Sequence, residues 1–269
     1  VNALAARRRH PAVLTVLLLV ALVATGCAYA AFAPKPAQAA TADADQVAQG
    51  KKLFQANCAT CHGLNGEGTK TGTGDQIAGP PLAGVGAAAV DFQVGTGRMP
   101  MAAPGVQAAQ GVKGAQFTQT QIDQLAAYVA SLGPGPAIPA AADYDYSNAD
   151  AAKGGELFRV NCAMCHNFAG SGGALTRGKY APSLATVSPK HIYEILNTGS
   201  QAMPVFNDTN LSPDSKREII AYIKTIHTEP SPGGLKLGSM GPVSEGLFAW
   251  VFGLALLIGF AVWLGNKSA

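Results

Sequence analysis

Charge is scarce in this sequence. Asp, Glu, Lys and Arg make up 13% of its 269 residues, about half the share usual in soluble domains. That scarcity, with abundant Gly and Ala, argues against a highly solvated intracellular enzyme. It favours compact, loop-rich domains outside the cytosol or at a membrane. The net charge of +3 does not describe the folded parts. Residues 43–132 hold five basic and six acidic side chains, and residues 143–229 hold eight and nine. The basic excess lies in Arg7, Arg8, Arg9, Lys35, Lys236 and Lys267. No basic stripe runs through either domain, so nucleic-acid binding has no support. Methionine is also rare, at five residues, and two of them, Met99 and Met101, flank one proline in "TGRMPM".

Long apolar runs occur at the two ends. Arg7–Arg9 precede an uncharged stretch from Ala12 to Ala33, and Ala37-Gln38-Ala39 has the form of a signal-peptidase site. The segment reads as a cleaved signal or as a retained membrane anchor, since 22 residues can span a bilayer. Cys27 in "VATGC" loosely resembles a lipidation box, with Ala24 where Leu is usual. Gly246–Gly265 is a second uncharged run, with Trp250 and Trp263 near its ends and Lys267 after it, the pattern of a transmembrane helix. The distribution of positive charge puts both ends on the cytoplasmic side and everything between them outside.

Between the ends the sequence repeats. "GKKLFQANCATCHG" from Gly50 matches "GGELFRVNCAMCHN" from Gly154, and "QIDQLAAYVASL" matches "KREIIAYIKTI", aligning Tyr128 with Tyr222. Each copy reads as mainly α-helical. Thr118 and Ser212 read as N-caps of the last helix of each copy, Ser212 with Pro213 at the first helical position. "SPKHIYEIL" reads as a further short helix carrying His191, a surface or half-buried structural residue. "AAPGVQAAQGVKGAQ" after Met101 reads as a surface loop. The expected organisation is a signal or anchor (1–42), a first domain (43–132), a Pro/Gly-rich linker (133–146), a second domain (147–228), a linker (229–245) and a transmembrane helix (246–265).

Cys58, Cys61 and His62, and again Cys162, Cys165 and His166, form C-x-x-C-H, the pattern of c-type haem attachment. Two thiols at this spacing reach the two vinyl groups of one porphyrin, and the following histidine becomes the proximal iron ligand. Zinc shared between the pairs is disfavoured by their 104-residue separation. A redox dithiol would need a βαβ context. A methionine thioether at the sixth position raises the potential and excludes small molecules. Met203 is the candidate for the second haem, and Met99 or Met101 for the first. Both Met99 and Met203 follow their histidine by 37 residues and precede a proline, which biases the preceding backbone toward an extended course. Counted from the shared Thr-Gly, Met101 matches Met203 instead. The shared Met-Pro favours Met99. Met164 is too close to His166, and Met240 lies beyond the second domain.

With these motifs in view, both domains resemble class I cytochrome c. The whole layout, including "TGRMP", "GGALTRGKYAPSL" and "IIAYIK", resembles the dihaem cytochrome cc subunit of actinobacterial menaquinol–cytochrome c reductase. The resemblance implies two tandem cytochrome c folds with two covalent haem c groups. It implies partners in cytochrome b, the Rieske iron–sulfur subunit and a haem-copper oxidase. The role would be electron relay as a subunit of the translocating reductase, with no catalytic site beyond the haems. It further implies that the carbonyls of Pro80 and Pro182 orient His62 and His166. Gly50 and Gly154 would mark close helix crossings, where Phe54 meets Tyr128 and Phe158 meets Tyr222. A membrane-anchored carrier for a periplasmic dehydrogenase would share every ligand. A dihaem peroxidase would need an open sixth position, which a Met-Pro in each copy opposes.

Overall fold

The computed structural model describes residues 11–32, 43–70, 77–111, 116–229, 237 and 242–267. Arg7–Arg9, Lys35, the Ala37-Gln38-Ala39 signature, Lys236 and Met240 lie outside the described residues. One unit holds helix α1, Pro11–Phe32. The other holds both sequence repeats and the C-terminal helix.

The first repeat folds as α2 (Ala44–Asn57), α3 (Ala59–His62), a small hairpin of β1 (Thr69–Lys70) and β2 (Ile77–Gly79), α4 (Gly86–Gly95) and α5 (Gln119–Ser131). A 3-10 turn at Ala141–Asp143 leads to the second repeat. There α6 (Ala151–Asn161), α7 (Ala163–His166), β3 (Gly173–Ala174), β4 (Tyr180–Ala181), α8 (Pro189–Thr198) and α9 (Pro213–Thr228) follow in the same order. The short antiparallel hairpins have no counterpart in the sequence reading. Their strands are two or three residues long, too short to show an alternating pattern.

Caps delimit the helices as the sequence indicates. The Thr118 side chain accepts from the Gln121 N–H, and the Gln121 side chain accepts in return from the Thr118 N–H. Ser212 caps α9 by accepting from the Ser215 N–H at 3.2 Å, with Pro213 in the first turn. Each domain's core forms where its first long helix crosses its last. Phe54 stacks against Tyr128 with centroids 5.1 Å apart, and Phe158 against Tyr222 at 5.3 Å. The crossings are close because of Gly50 and Gly154. A Cβ there would lie 1.9 Å from the Gln124 or Glu218 carbonyl oxygen. Around these crossings Ile122, Leu125 and Val129 in the first domain, and Ile219, Ile220 and Ile223 in the second, are at most 2% exposed.

Helix α10, Pro242–Lys267, and helix α1 are both long and apolar enough to cross a membrane. Their large apolar side chains are exposed, Leu17 and Trp250 among them. Lys267 lies over the Trp263 ring at 4.5 Å, so the cationic end of α10 is backed by an aromatic girdle residue.

Two expectations change. The segment after Met101 is not simply a surface loop: Ala108 is 5% exposed, because its backbone is held by Gln201 of the second domain. The Pro/Gly-rich segment after α5 folds back on the first domain, where the Pro136 carbonyl accepts from the Ala88 N–H at 3.1 Å.

Candidate functional site

The same local geometry builds a site in each domain. The long helix ends at the first cysteine of the motif, whose backbone leaves helical values at φ −122° for Cys58 and −123° for Cys162. A single new turn follows. His62 N–H donates to the Cys58 carbonyl and His166 N–H to the Cys162 carbonyl, both at 2.9 Å. Positions three and four apart share a helix face, so this turn presents two thiols and an imidazole on one side. The chain then reverses in the left-handed region at Gly63 (φ 80°) and Asn167 (φ 66°), the residue types that tolerate it.

Each imidazole is locked from behind. His62 Nδ1 donates to the Pro80 carbonyl at 2.8 Å and His166 Nδ1 to the Pro182 carbonyl at 3.0 Å. A carbonyl only accepts, so Nδ1 is the donor, and in the neutral ring this leaves the lone pair on Nε2, the tautomer a metal requires. Burial pushes the His166 pKa down, against the smaller opposing effect of the Pro182 carbonyl.

Cys58, Cys61, His62, Pro80, Met99 and Met101 all line one cavity of about 910 Å³, within the size range of cofactor sites. Cys162, Cys165, His166, Pro182 and Met203 line a narrower one of about 140 Å³. Met99 packs against the first core and Met203 against the second. Met164 is 94% exposed and points to solvent.

The donor set in each cavity is two thiols, one imidazole with a free Nε2 and a thioether among apolar walls. It fits a covalently attached haem. It does not fit the alternatives. The two C-x-x-C pairs line separate cavities, and among the described residues no cysteine belongs to a three-ligand metal cluster. Burial, and then the neighbouring Cys61 or Cys165, pushes the Cys58 thiol up to about 11 and the Cys162 thiol up to about 12. Neutral thiols of this kind are poor redox nucleophiles.

The two domains meet along α4 and α8. Asp91, 2% exposed, pairs with Lys190 at 2.7 Å and accepts from Gln119 at 3.1 Å. His191 is half-buried, as the sequence suggests. Its ring packs edge-on against Phe92 and its Nε2 is 3.8 Å from Asp91. Gln93 donates to Ser200 at 2.6 Å. Two glutamines then reach across in opposite directions. Gln107 binds the backbone N–H and carbonyl of Tyr180, and Gln201 binds those of Ala108. Sequence reasoning missed this interface, because nothing local marks partners that are about a hundred residues apart.

Two tandem units of this construction define a c-type cytochrome. A family model for cytochrome c matches residues 47–133, and one for "Cytochrome C oxidase, cbb3-type, subunit III" matches residues 149–223. The chain is 45% identical to the cytochrome bc1 complex cytochrome c subunit of Corynebacterium efficiens, over 93% of this chain and 88% of that protein. It is 43% identical to the subunit of the same name from Mycobacterium leprae, over 94% and 87%, and from Corynebacterium diphtheriae, over 97% and 95%. The chain belongs to the family of cytochrome c subunits of the cytochrome bc1 complex. It is a membrane-anchored cytochrome of respiratory electron transfer, and its membership of this family implies covalently bound haem c.

Proposed function

We propose that the chain binds two haem c groups, one per domain, and relays electrons from the quinol-oxidising cytochrome b and Rieske subunits to a haem-copper oxidase. The observation that carries this reading is the duplicated site, in which a His held by a proline carbonyl and a methionine followed by proline line the same cavity. Haem supplies reversible one-electron chemistry, and the surrounding residues decide how it is used. Cys58 and Cys61, and Cys162 and Cys165, attach the groups through thioethers. His62 and His166 would bind the iron through Nε2, kept in one orientation by Pro80 and Pro182. Met99 and Met203 would supply a thioether to each group, which would exclude small ligands and restrict each site to electron transfer. Met99 is preferred over Met101 because Met99 and Met203 both pack on their domain's core and both precede proline.

The interface gives the relay its form. Ser200 and Gln201 of the second domain line both cavities, and so do Gln107 and Ala108 of the first. Transfer between the sites is therefore intramolecular and needs no diffusing carrier. Within the reductase, a quinol-oxidising translocase, this chain is the electron-transfer subunit. Arg7–Arg9 and Lys267 favour an orientation with both ends cytoplasmic and the haem domains outside.

Mild detergent extraction followed by mass spectrometry tests the partners. Co-purification with cytochrome b, Rieske and oxidase subunits is expected. Recovery with a dehydrogenase instead would overturn the assignment. Rapid carbon monoxide binding to the reduced protein would contradict the filled sixth positions.

A further inference from the structure

We propose that the two domains exchange counter-charges, so that each haem's propionate carboxylates are met by a cation from the other domain: Arg98 for the second haem and Lys179 for the first. The proposal rests on the reading that each cavity holds a haem.

Arg98 belongs to the first domain, one residue before Met99, yet it lines the second cavity. Lys179 belongs to the second domain, yet it lines the first cavity. Among the described residues, no acidic residue lines either cavity, and these two are the only Lys or Arg residues that do. Arg98 is 8% exposed. Its guanidinium lies 4.8 Å from the Phe92 ring centroid. Asp91, the buried acid of the preceding helix, is engaged by Lys190 and Gln119.

A buried guanidinium without an acidic partner is costly. Haem brings two carboxylates that would be equally costly to bury unpaired. Arg is suited to this task, because its planar fork binds a carboxylate through two parallel hydrogen bonds. The second domain offers no substitute. In its own ligand loop, "TGSQAMP", the residues before Met203 are Ser200, Gln201 and Ala202. The crossed arrangement also accounts for the glutamine clamps. Gln107 grips the backbone of Tyr180, next to Lys179, and Gln201 grips Ala108 across the same junction.

The experiment is a redox titration of the full, haem-loaded chain purified in its complex, with R98Q, R98K and K179Q. Haem content is quantified for each variant, and the second haem is assigned by the altered spectrum of a Met203→His variant. A cation beside a haem carboxylate favours the reduced iron. R98Q should therefore lower the midpoint potential of the second haem and leave the first nearly unchanged. The reduced-to-oxidised ratio at fixed potential should fall severalfold, tenfold corresponding to about 59 mV for one electron. R98K should restore most of it, and K179Q should lower the first haem. A shift confined to the first haem in R98Q, or no shift at the second, would overturn the proposal. So would a K179Q chain whose first haem keeps its potential. An unsubstituted chain with fewer than two haems would instead overturn the underlying reading.

Discussion

Lys190 of the second domain places its ammonium 2.7 Å from the buried carboxylate of Asp91 in the first. Glu194, fully buried one turn further along α8, has its carboxyl in the same cluster as Asp91 and His191, with ligand atoms within 4.8 Å of one another. Burial, and then the Asp91 charge, raises the Glu194 pKa to about 9, with Lys190 opposing. Burial alone would raise Asp91 as well, but Lys190, Glu194 and Gln119 hold it below its usual value. At neutral pH the cluster therefore contains one carboxylate, one carboxylic acid and one ammonium. His191 is pushed down by burial, against Asp91, with Lys190 and Arg98 adding to the fall.

A pH dependence follows, with its sign fixed. Glu194 binds its proton more tightly folded than unfolded, so its contribution is full below the unfolded value of about 4.5 and is lost as pH rises toward 9. The slope is on the order of 1 kcal/mol per pH unit within that window. Asp91 acts oppositely and only in acid, where its contribution is lost as pH falls below its unfolded value. Calorimetric unfolding of the haem-loaded chain between pH 7 and 9, above the range in which the lowered pKa of His191 makes stability rise with pH, should show stability declining with pH. Glu194→Gln should flatten the decline. An unchanged slope in that variant would mean the cluster is not the source.

The helix crossings give a second prediction. Gly50→Ala or Gly154→Ala puts a methyl 1.9 Å from a backbone carbonyl oxygen of the last helix, which no side-chain movement can relieve. Each should cost about 1–3 kcal/mol or more. For domains of this size that is a fall in melting temperature of about 4–8 °C per kcal/mol. An exposed glycine such as Gly178, with nothing near its Cβ position, has a left-handed φ of 73°. Its replacement should cost only the smaller backbone strain.

The sixth ligand is open to substitution. Met99→Leu should abolish the methionine-to-iron absorption band of one haem, and Met203→Leu that of the other. Met101→Leu should leave both bands in place. Loss of a band in the Met101 variant instead would move the assignment by two residues.

Capping energies are smaller but cleanly assigned. Thr118→Ala removes the acceptor for the Gln121 N–H and breaks the reciprocal box. It should destabilise the first domain by about 1 kcal/mol. A thermal melt that matches the parent would show that the end of α5 is held by packing alone.

How much of this was legible depended on the range of each interaction. The caps at Thr118 and Ser212 and the C-x-x-C-H turns are written within a few residues and could be read directly, while the Gly–aromatic crossings were indicated through the family resemblance. The β1–β2 and β3–β4 hairpins were too short to leave a pattern. The pairing of Asp91 with Lys190 and the seating of Gln107 on Tyr180 join residues about 70 to 100 positions apart. Neither leaves a periodic signal, and Asp91 lies within a helix whose other residues, Gln93 apart, are glycine or apolar. His191 could be graded as half-buried, but its place at a domain interface could not be seen. The lining of each cavity by a cation from the other domain is a property of the assembled pair and of neither repeat alone.

The account's central claim is that both repeats hold haem and act as one relay. Intact-mass spectrometry of the full chain, purified under denaturing conditions, tests it most directly. The account predicts a mass increase of two haems that survives denaturation, because four thioethers at Cys58, Cys61, Cys162 and Cys165 retain them. A chain that carries one haem, or that releases haem on denaturation, would contradict it.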